Sequence, residues 1–157
     1  KKKKINMKIF YQVLDNIKEI VNAEPFSNQI TFGDISEIDL KKQSLFPLTH
    51  VMINTANINE NTVSFNVTFF FMDLVDISNT QTTDYYRGND NLHDILNTQL
   101  ALATRVLRVL QKGDLYRDKF QVDESASCEP FLERFDNTLA GWAVTVSIET
   151  KDNMTYC

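Results

Sequence analysis

Residues 63–74 read VSFNVTFFFMDL, and this stretch decides the fold class of the 157-residue chain. In its first half apolar residues alternate with small polar ones, which predicts a β-strand with one buried and one polar face. Past Phe69 the second face becomes apolar as well, through Phe70, Met72 and Leu74. We therefore expect burial on both faces at this end, against either the helices of the same chain or a neighbouring subunit.

Three further strands are predicted around this one. Residues 48–56 precede it, and the Asn-rich connection 57–61 favours an antiparallel hairpin because Asn tolerates left-handed backbone. Residues 129–135 and 139–150 form a second predicted hairpin in the last third of the chain. Gly141 lies inside its second strand and indicates a bulge or the close approach of another backbone.

Two long amphipathic helices are predicted from apolar residues at three- and four-residue spacing. The first begins near Met7, includes Phe10 in its apolar stripe, and ends near Ala23 because Pro25 cannot continue it. The second follows a cap at Asn89 or Asp90. Its apolar stripe runs from Leu92 to Leu110, and Gly113 is predicted to end it.

The order helix, strands, helix, strands predicts the α+β class. We expect an antiparallel β-sheet with the long N-terminal helix and the second long helix packed on one face. Residues 26–47 are predicted to be a long structured loop containing a short extended piece at Gln29–Phe32. Residues 1–6 are interpreted as an N-terminal extension, and 7–157 as a single domain.

Composition narrows the classes of function. The net charge of −5 argues against a surface that grips nucleic acid, which needs clustered Lys and Arg. No stretch has the roughly 20 apolar residues of a membrane span, and polar residues after residues 1–4 break any signal-peptide core. Cys128 and Cys157 are far apart, which favours free thiols in a reducing compartment over a disulfide.

No catalytic residue, cofactor or metal ligand is predicted. His50 and His93 have no second histidine or cysteine at ligand spacing. One alternative stays open, a small metal-dependent hydrolase that uses Asp73 and Asp76, with His50 as a third candidate ligand. Against it, the two aspartates end a predicted strand, where acidic side chains are usually solvated.

Tyr85, Tyr86 and Arg87 lie in a polar segment between the long predicted strand and the second helix. Their composition is typical of interaction hot spots, although a solvated loop with two half-packed tyrosines explains them equally well. A monomeric module that binds a partner through residues 77–91 is therefore a further alternative. Cys128 is expected to be a loop thiol rather than a nucleophile, since no assisting base is identified.

Several segments, taken together, resemble small virion proteins of tailed bacteriophages, in the tail-terminator, tail-completion and head-to-tail connector group. The segments that carry this resemblance are FGDI at 32–35, LFPLTH at 45–50, MDLVD at 72–76, EPFLERFDN at 129–137, LAGW at 139–142 and NMTYC at 153–157. The resemblance covers nearly all of the chain after Met7.

The resemblance implies a tail-terminator-like fold and a homo-oligomeric ring, six-fold or twelve-fold, at the neck or the tail end of the virion. DNA would pass through its lumen without specific binding, and the neighbours would be other neck, tail or portal-adaptor proteins. It implies assembly in the host cytoplasm, no enzymatic activity and no membrane. The interface residues expected from exposure and composition are Phe46, Pro47, Tyr85, Tyr86, Arg87 and Tyr156.

Overall fold

A computed structural model describes residues 9–34, 46–75, 83, 86, 91–112, 120–122, 125–134 and 139–151. The elements in chain order are α1 (Ile9–Asn22), β1 (Gln29–Phe32), β2 (Leu48–Ile58), β3 (Thr62–Leu74), α2 (Leu92–Gln111), β4 (Phe120–Val122), β5 (Ser127–Arg134) and β6 (Leu139–Lys151). The α+β class is confirmed. The predicted strands and helices are present, with bounds mostly within two residues of those expected.

The described strands form one six-stranded sheet in the order β1-β2-β3-β6, with β4 and β5 sharing the far side of β6. β3 pairs antiparallel with β2 on one side and with β6 along its whole length on the other. β5 pairs with the first half of β6, and β4 with residues 148–150 near its end. The long apolar strand β3 therefore lies in the interior of the sheet, with a strand on each side.

The sheet is mixed rather than wholly antiparallel, because β1 runs parallel to β2. The extended piece predicted at Gln29–Phe32 within residues 26–47 is confirmed, and it joins the sheet as β1. Residues 33–47 connect β1 to β2, and this segment is longer than the dozen residues that a connection between parallel strands requires. Gly33 ends β1 with a φ of 138°, a backbone conformation that side-chain-bearing residues rarely adopt.

Both helices pack on one face of the sheet, as predicted. The main core joins the buried faces of α1 and α2 to inward-pointing residues of the strands. Its strand members include Val51, Phe65, Val67, Phe69, Phe71, Val144, Val146 and Ile148. Since side chains alternate between faces along a strand, the neighbouring positions in β3 and β6 point to the opposite, helix-free face.

The helix-free face carries a second apolar cluster at one end. Leu48, Met72, Phe131 and Leu139 are buried there, and Phe46, Phe70 and Ala143 pack against them. Of the two partners expected for the second face of β3, the helices are excluded, because both lie on the other side. Residues of the same chain cover Phe70 and Met72 instead, whereas Leu74 at the strand end is 43% exposed.

Gly141 lies where the backbones of β6 and β3 come close together, which confirms the predicted close approach. A Cβ at this position would overlap the carbonyl oxygen of Phe71 and lie 2.9 Å from the Cα of Met72. Next to it, the Trp142 indole Nε1–H donates to the carbonyl oxygen of Leu96 at 2.8 Å. This short segment of β6 therefore fixes the spacing to β3 and the position of α2 above the sheet.

The start of α2 differs from the prediction. Asn91 occupies the N-cap position, and its side chain makes no capping hydrogen bond. Its Nδ2 group instead points toward the carbonyl oxygen of Leu74 at 3.5 Å. Gly113, the predicted stop, lies outside the described residues, and the C-cap is Lys112. The strand β4 was not predicted, because three residues are too few to show alternation.

Candidate assembly surface

Toward its turn the β2–β3 hairpin is covered unevenly, since Phe65 and Val63 of β3 pack in the helix-side core whereas the β2 residues beside them are exposed. Along β2 the first four residues are buried, the next two are half-buried, and the last five are exposed. We call residues 54–61, the exposed end of β2 with the turn that follows it, the distal arm. Its backbone is well defined, since pairing with β3 continues to Ile58↔Val63 and Asn59 N donates to Thr62 O at 2.8 Å.

The outer edge of the distal arm is an open strand edge. β1 pairs only with residues 48–51 of β2, and no described residue pairs with the outer backbone of residues 54–58. Exposed edges are usually protected by lysine, proline, or a bulge. Residues 54–58 contain neither lysine nor proline, and their one irregularity is the register shift between Ile53 and Thr55. Past this shift, the outer backbone of residues 55–58 is open to pairing with another strand.

A ladder of uncharged polar side chains links the base of the arm to the neighbouring strands on the helix-free face. Asn54 Nδ2 donates to Asn66 Oδ1 at 3.0 Å and to Thr68 Oγ1 at 2.7 Å. The Thr68 hydroxyl lies 3.3 Å from the hydroxyl of Thr145 on β6. These bonds cross three strands, so they resist bending of the arm relative to the rest of the sheet.

An aromatic patch lies on the helix side. We give this name to Phe10, Tyr11 and Phe32, whose rings lie about 6 Å apart, Phe10 contacting both of the others edge to face. Phe10 also contacts Phe65 of the core, at 6.2 Å between ring centres. Phe10 is nonetheless 41% exposed and Tyr11 65%. The expectation that Phe10 belongs to the buried stripe of α1 was therefore only half right.

The aromatic patch continues into a groove between α1 and β1. This α1–β1 groove has a volume of about 280 Å³. Its lining consists of Leu14, Asp15, Ile17, Lys18, Ile30, Thr31, Phe32 and Val51. Most of the lining is apolar, and the exposed side chains of Asp15 and Lys18 supply one charge of each sign. Such a groove suits an apolar side chain with polar neighbours.

The predicted interface residues that the structure describes differ in their exposure. Phe46 and Pro47 are half-buried: Phe46 packs on the second apolar cluster, and Asn28 Nδ2 donates to its carbonyl oxygen at 2.7 Å. Tyr86 is 89% exposed, with its ring 6.1 Å from that of His93. Tyr85, Arg87 and Tyr156 lie outside the described residues. The interface role of all six stays a prediction.

The alternative hydrolase site is not assembled from its described members. His50 pairs with Phe70 and points to the helix-free face, whereas Asp73 points to the helix side of β3. Both ring nitrogens of His50 are also engaged. Nε2 donates to the carbonyl oxygen of Gly33 at 3.0 Å, and Nδ1 lies 2.7 Å from the Thr31 hydroxyl. Asp76 lies outside the described residues.

The remaining reactive groups show no activation. Burial raises the pKa of the Cys128 thiol, the reverse of what an activated nucleophile requires. Burial also raises the pKa of Asp73, opposed by a hydrogen bond from the backbone N–H of Leu74 at 2.8 Å. Within the described ranges, no group of three or more His, Cys, Asp or Glu side chains is arranged to hold a metal ion.

No family model matches the chain, and a search of curated proteins finds no significant relative. Of the two described helices, neither has the length and apolarity needed to cross a membrane.

Sequence reasoning missed the distal arm, the open edge and the groove. One signal was present: residues 54–57 read NTAN, without the alternation that a half-buried strand shows. A strand continued through such a segment has no side chains suited to a core, so it is expected to extend into solvent. The groove left no comparable signal, because its walls come from separate parts of the chain.

Proposed function

We propose that the protein is a structural component of the virion of a tailed bacteriophage. It forms a homo-oligomeric ring at the head–tail junction or the tail end, and DNA passes through the ring without specific binding. The neighbours in the particle are other neck, tail or portal-adaptor proteins.

The observation that carries the assembly part of this proposal is the distal arm. An open, uncharged strand edge at residues 54–58 lies near the exposed side chain of Phe10, whose ring contacts Phe65 beside that edge. Open strand edges and exposed aromatic residues are features that a self-associating surface uses.

The geometry favours a head-to-tail contact, in which two different surfaces of the same chain meet. The distal arm lies on β2, whereas the opposite side of the sheet is formed by β4 and β5. On that side, Pro130 removes a backbone donor and the pairing shifts between Phe131 and Arg134, so β5 is poorly suited to accept a strand. Contacts between unlike surfaces generate rings when the rotation between copies closes.

The charge supports passage of DNA rather than binding. Each copy carries a net charge of −5, so a ring of six copies carries about −30. A surface of this sign repels phosphate, and it lacks the dense Lys and Arg that release counterions when they bind DNA.

The proposal can be tested on virions of the phage that encodes this chain. An antibody raised against the purified protein, visualised with gold in the electron microscope, should label the neck or the tail end of each particle. Antibody pre-absorbed with the purified protein is the control. Native mass spectrometry of cross-linked neck fragments should then give one mass that is a whole-number multiple of the 18.1 kDa chain, the number of copies in the ring.

Two results would contradict the proposal. One is purified virions that lack the protein. The other is a monomeric protein that binds stoichiometric metal and hydrolyses a nucleic acid or phosphate ester, which would restore the hydrolase alternative.

A further inference from the structure

We propose that residues 152–157 of one copy, which follow β6 in the sequence, pair as an added strand with the open edge of β2 in the next copy. The inference rests on the proposed function, since it names the contact through which identical chains join. Its support is the direction of the backbone groups at that edge, the place where β6 ends, and the residue pattern of the added segment.

The backbone groups of Ala56 and Ile58 point outward from the edge. Asn59 N donates to Thr62 O at 2.8 Å, so these two residues form a hydrogen-bonded pair between β2 and β3. Bonded and non-bonded pairs alternate along an antiparallel ladder, and the pairs that Ile58 and Ala56 form with β3 are therefore non-bonded. Residues of such pairs direct their N–H and C=O groups away from each other. Both groups of Ala56 and of Ile58 thus face the side where no described residue pairs with this part of β2.

The helix side of this edge is apolar. Ala56 pairs with Phe65 and Ile58 with Val63, and both partners pack in the helix-side core. Since paired residues point to the same face of a sheet, Ala56 and Ile58 also lie on the helix side. Ile58 is 84% exposed there, and Phe10, whose ring contacts Phe65, is 41% exposed. A strand added here would cover apolar surface as well as backbone groups.

The sequence after β6 matches this edge. In NMTYC at 153–157 the large apolar side chains of Met154 and Tyr156 alternate with smaller ones, which gives a strand one apolar face. With that face on the helix side, the intervening residues lie beside Thr55 and Asn57, which are exposed on the helix-free side. Neither strand carries a charge over 54–58 or 153–157, so the pairing opposes no like charges.

Residues 152–157 leave the sheet at the end where the edge is open, yet they cannot pair with the edge of their own chain. Lys151, the last residue of β6, pairs with Thr62, which begins β3 directly after the hairpin turn. From β6 to the outer side of β2 the chain must cross three strand spacings, about 14 Å at roughly 4.8 Å each. At about 3.5 Å per extended residue this takes about four residues and leaves about two to pair. The added strand therefore belongs to a second copy.

This contact joins unlike surfaces, because each copy gives residues 152–157 and receives those of a neighbour at β2. It propagates from copy to copy and closes into a ring when the rotation allows. Main-chain hydrogen bonds supply the affinity of an added strand, and its alternate side chains supply the specificity. Pairing of two β2 edges with each other would instead give a two-fold dimer and stop.

Disulfide trapping tests the contact in the full chain, with Cys128→Ser and Cys157→Ser as background. Met154→Cys is combined in turn with Ala56→Cys and with Ile58→Cys, because either edge residue can lie opposite it. At high protein concentration, mild oxidation of one of these two variants should give a ladder of linked oligomers beyond the dimer. A reducing agent should dissolve the ladder.

The matched control moves the donor thiol to the other face of the added strand. Thr155→Cys replaces Met154→Cys in the same two combinations, and its thiol should lie on the helix-free side, away from Ala56 and Ile58. These variants should lose the ladder, although the added segment carries a thiol in each case. Variants with one cysteine alone can form at most a dimer.

A second experiment blocks the edge without cysteines. Ala56→Pro removes an outward N–H that the β2–β3 pairing does not use, a position where an edge strand tolerates proline. It should weaken self-association roughly 2- to 10-fold in sedimentation velocity, the effect of one lost hydrogen bond. Ala56→Val keeps the N–H group and is the matched control. Circular dichroism checks that both variants fold.

The donor strand is tested in the same way. Tyr156→Asp places a charge on the apolar side of the added strand and should weaken self-association, whereas Thr155→Asp places it on the polar side and should weaken it less. This comparison leaves β2 unchanged, so it decides the matter even if Ala56→Pro fails to fold.

The outcomes separate this inference from the proposed function. Absence of a ladder, a ladder that stops at the dimer, or equal ladders from Met154→Cys and Thr155→Cys overturns the added strand. So does equal self-association of the Tyr156→Asp and Thr155→Asp variants. Gold label at the neck of the virion would in that case still support the ring. Conversely, a face-dependent disulfide ladder with no protein in the virion would uphold the contact and overturn the proposed function.

Discussion

The two halves of the β2–β3 hairpin share one hydrogen-bonded ladder and differ in almost everything else. In the proximal half, residues 48–53 with 67–74, the core covers one side and the second apolar cluster the other. In the distal half, residues 54–58 with 62–66, the β2 residues are exposed, and polar side chains hold the strands together. Only the β2 side of the hairpin leaves the core here, because Phe65 of β3 is 6% exposed and belongs to the main core. We expect the proximal half to contribute more to stability than the exposed end of β2.

The sharpest test of this division is removal of a proximal aromatic side chain. Phe69→Ala should lower the free energy of unfolding by about 3–5 kcal/mol, because it leaves a cavity in a fully buried site stacked on Phe71. Urea denaturation followed by circular dichroism measures this. Phe26→Ala makes the same substitution at a 45% exposed position and is the control. It should lower the free energy of unfolding far less. Equal losses would mean that the proximal half has no special share in stability.

The next effect concerns the spacing between β3 and β6 in the proximal half. Gly141→Ala should destabilise by about 1–3 kcal/mol or more, since its methyl group must displace the backbone at Phe71. Ser147→Ala, farther along the same strand, should change the unfolding free energy by less than about 0.5 kcal/mol. A neutral Gly141→Ala would show that the strands can separate without cost, contrary to the close approach seen here.

In the distal half the polar ladder should matter less, and in a different way. Asn54→Ala removes hydrogen bonds to Asn66 and Thr68 and should cost about 0.5–1.5 kcal/mol. We expect amide hydrogen exchange to quicken mainly in residues 54–66, because the lost bonds tie that segment to its neighbours. Faster exchange throughout the core would instead show that the two halves unfold together.

The smallest expected effect lies at the proximal end of β3. Burial raises the folded-state pKa of Asp73 above its ordinary value, so the unfolded chain ionises first as pH rises. This carboxyl group therefore costs stability above the folded-state pKa and costs none below its unfolded pKa. Asp73→Asn should be more stable than the parent chain by less than about 0.5 kcal/mol at neutral pH. The difference should vanish near about pH 3; a difference that grows on acidification would reverse the assigned sign.

Periodicity predicted those parts of the fold that alternate along a single element. The helix faces and the strands β2, β3, β5 and β6 were recovered because a continuous segment of each carries its own pattern. β1 was seen only as an extended piece, since four residues carry no information about direction or partner. Its parallel pairing with β2 depends on where the connection 33–47 allows the chain to return.

The candidate surface was less predictable than the fold. Phe10 fits the apolar stripe of α1, yet its ring is only partly covered by Phe65 and Phe32. The α1–β1 groove combines helix residues 14–18 with strand residues 30–32 and 51, which lie 12 to 37 positions away in the chain. Tyr86 was expected from composition to be exposed at a surface, and it is exposed; whether it contacts a partner stays a prediction.

By itself the sequence determined the α+β class and the longer helices and strands, because local spacing and residue type indicate each of them. For Gly141 it left two possibilities, a bulge or a close approach of another backbone. Only the tertiary structure decided that β1 pairs in parallel, that Phe70 and Met72 are covered by their own chain, and that residues 54–58 stand clear of the core. These outcomes depend on which distant segments meet. The free energy of burial is set by the area that two surfaces share, and a linear pattern does not state which surfaces those are.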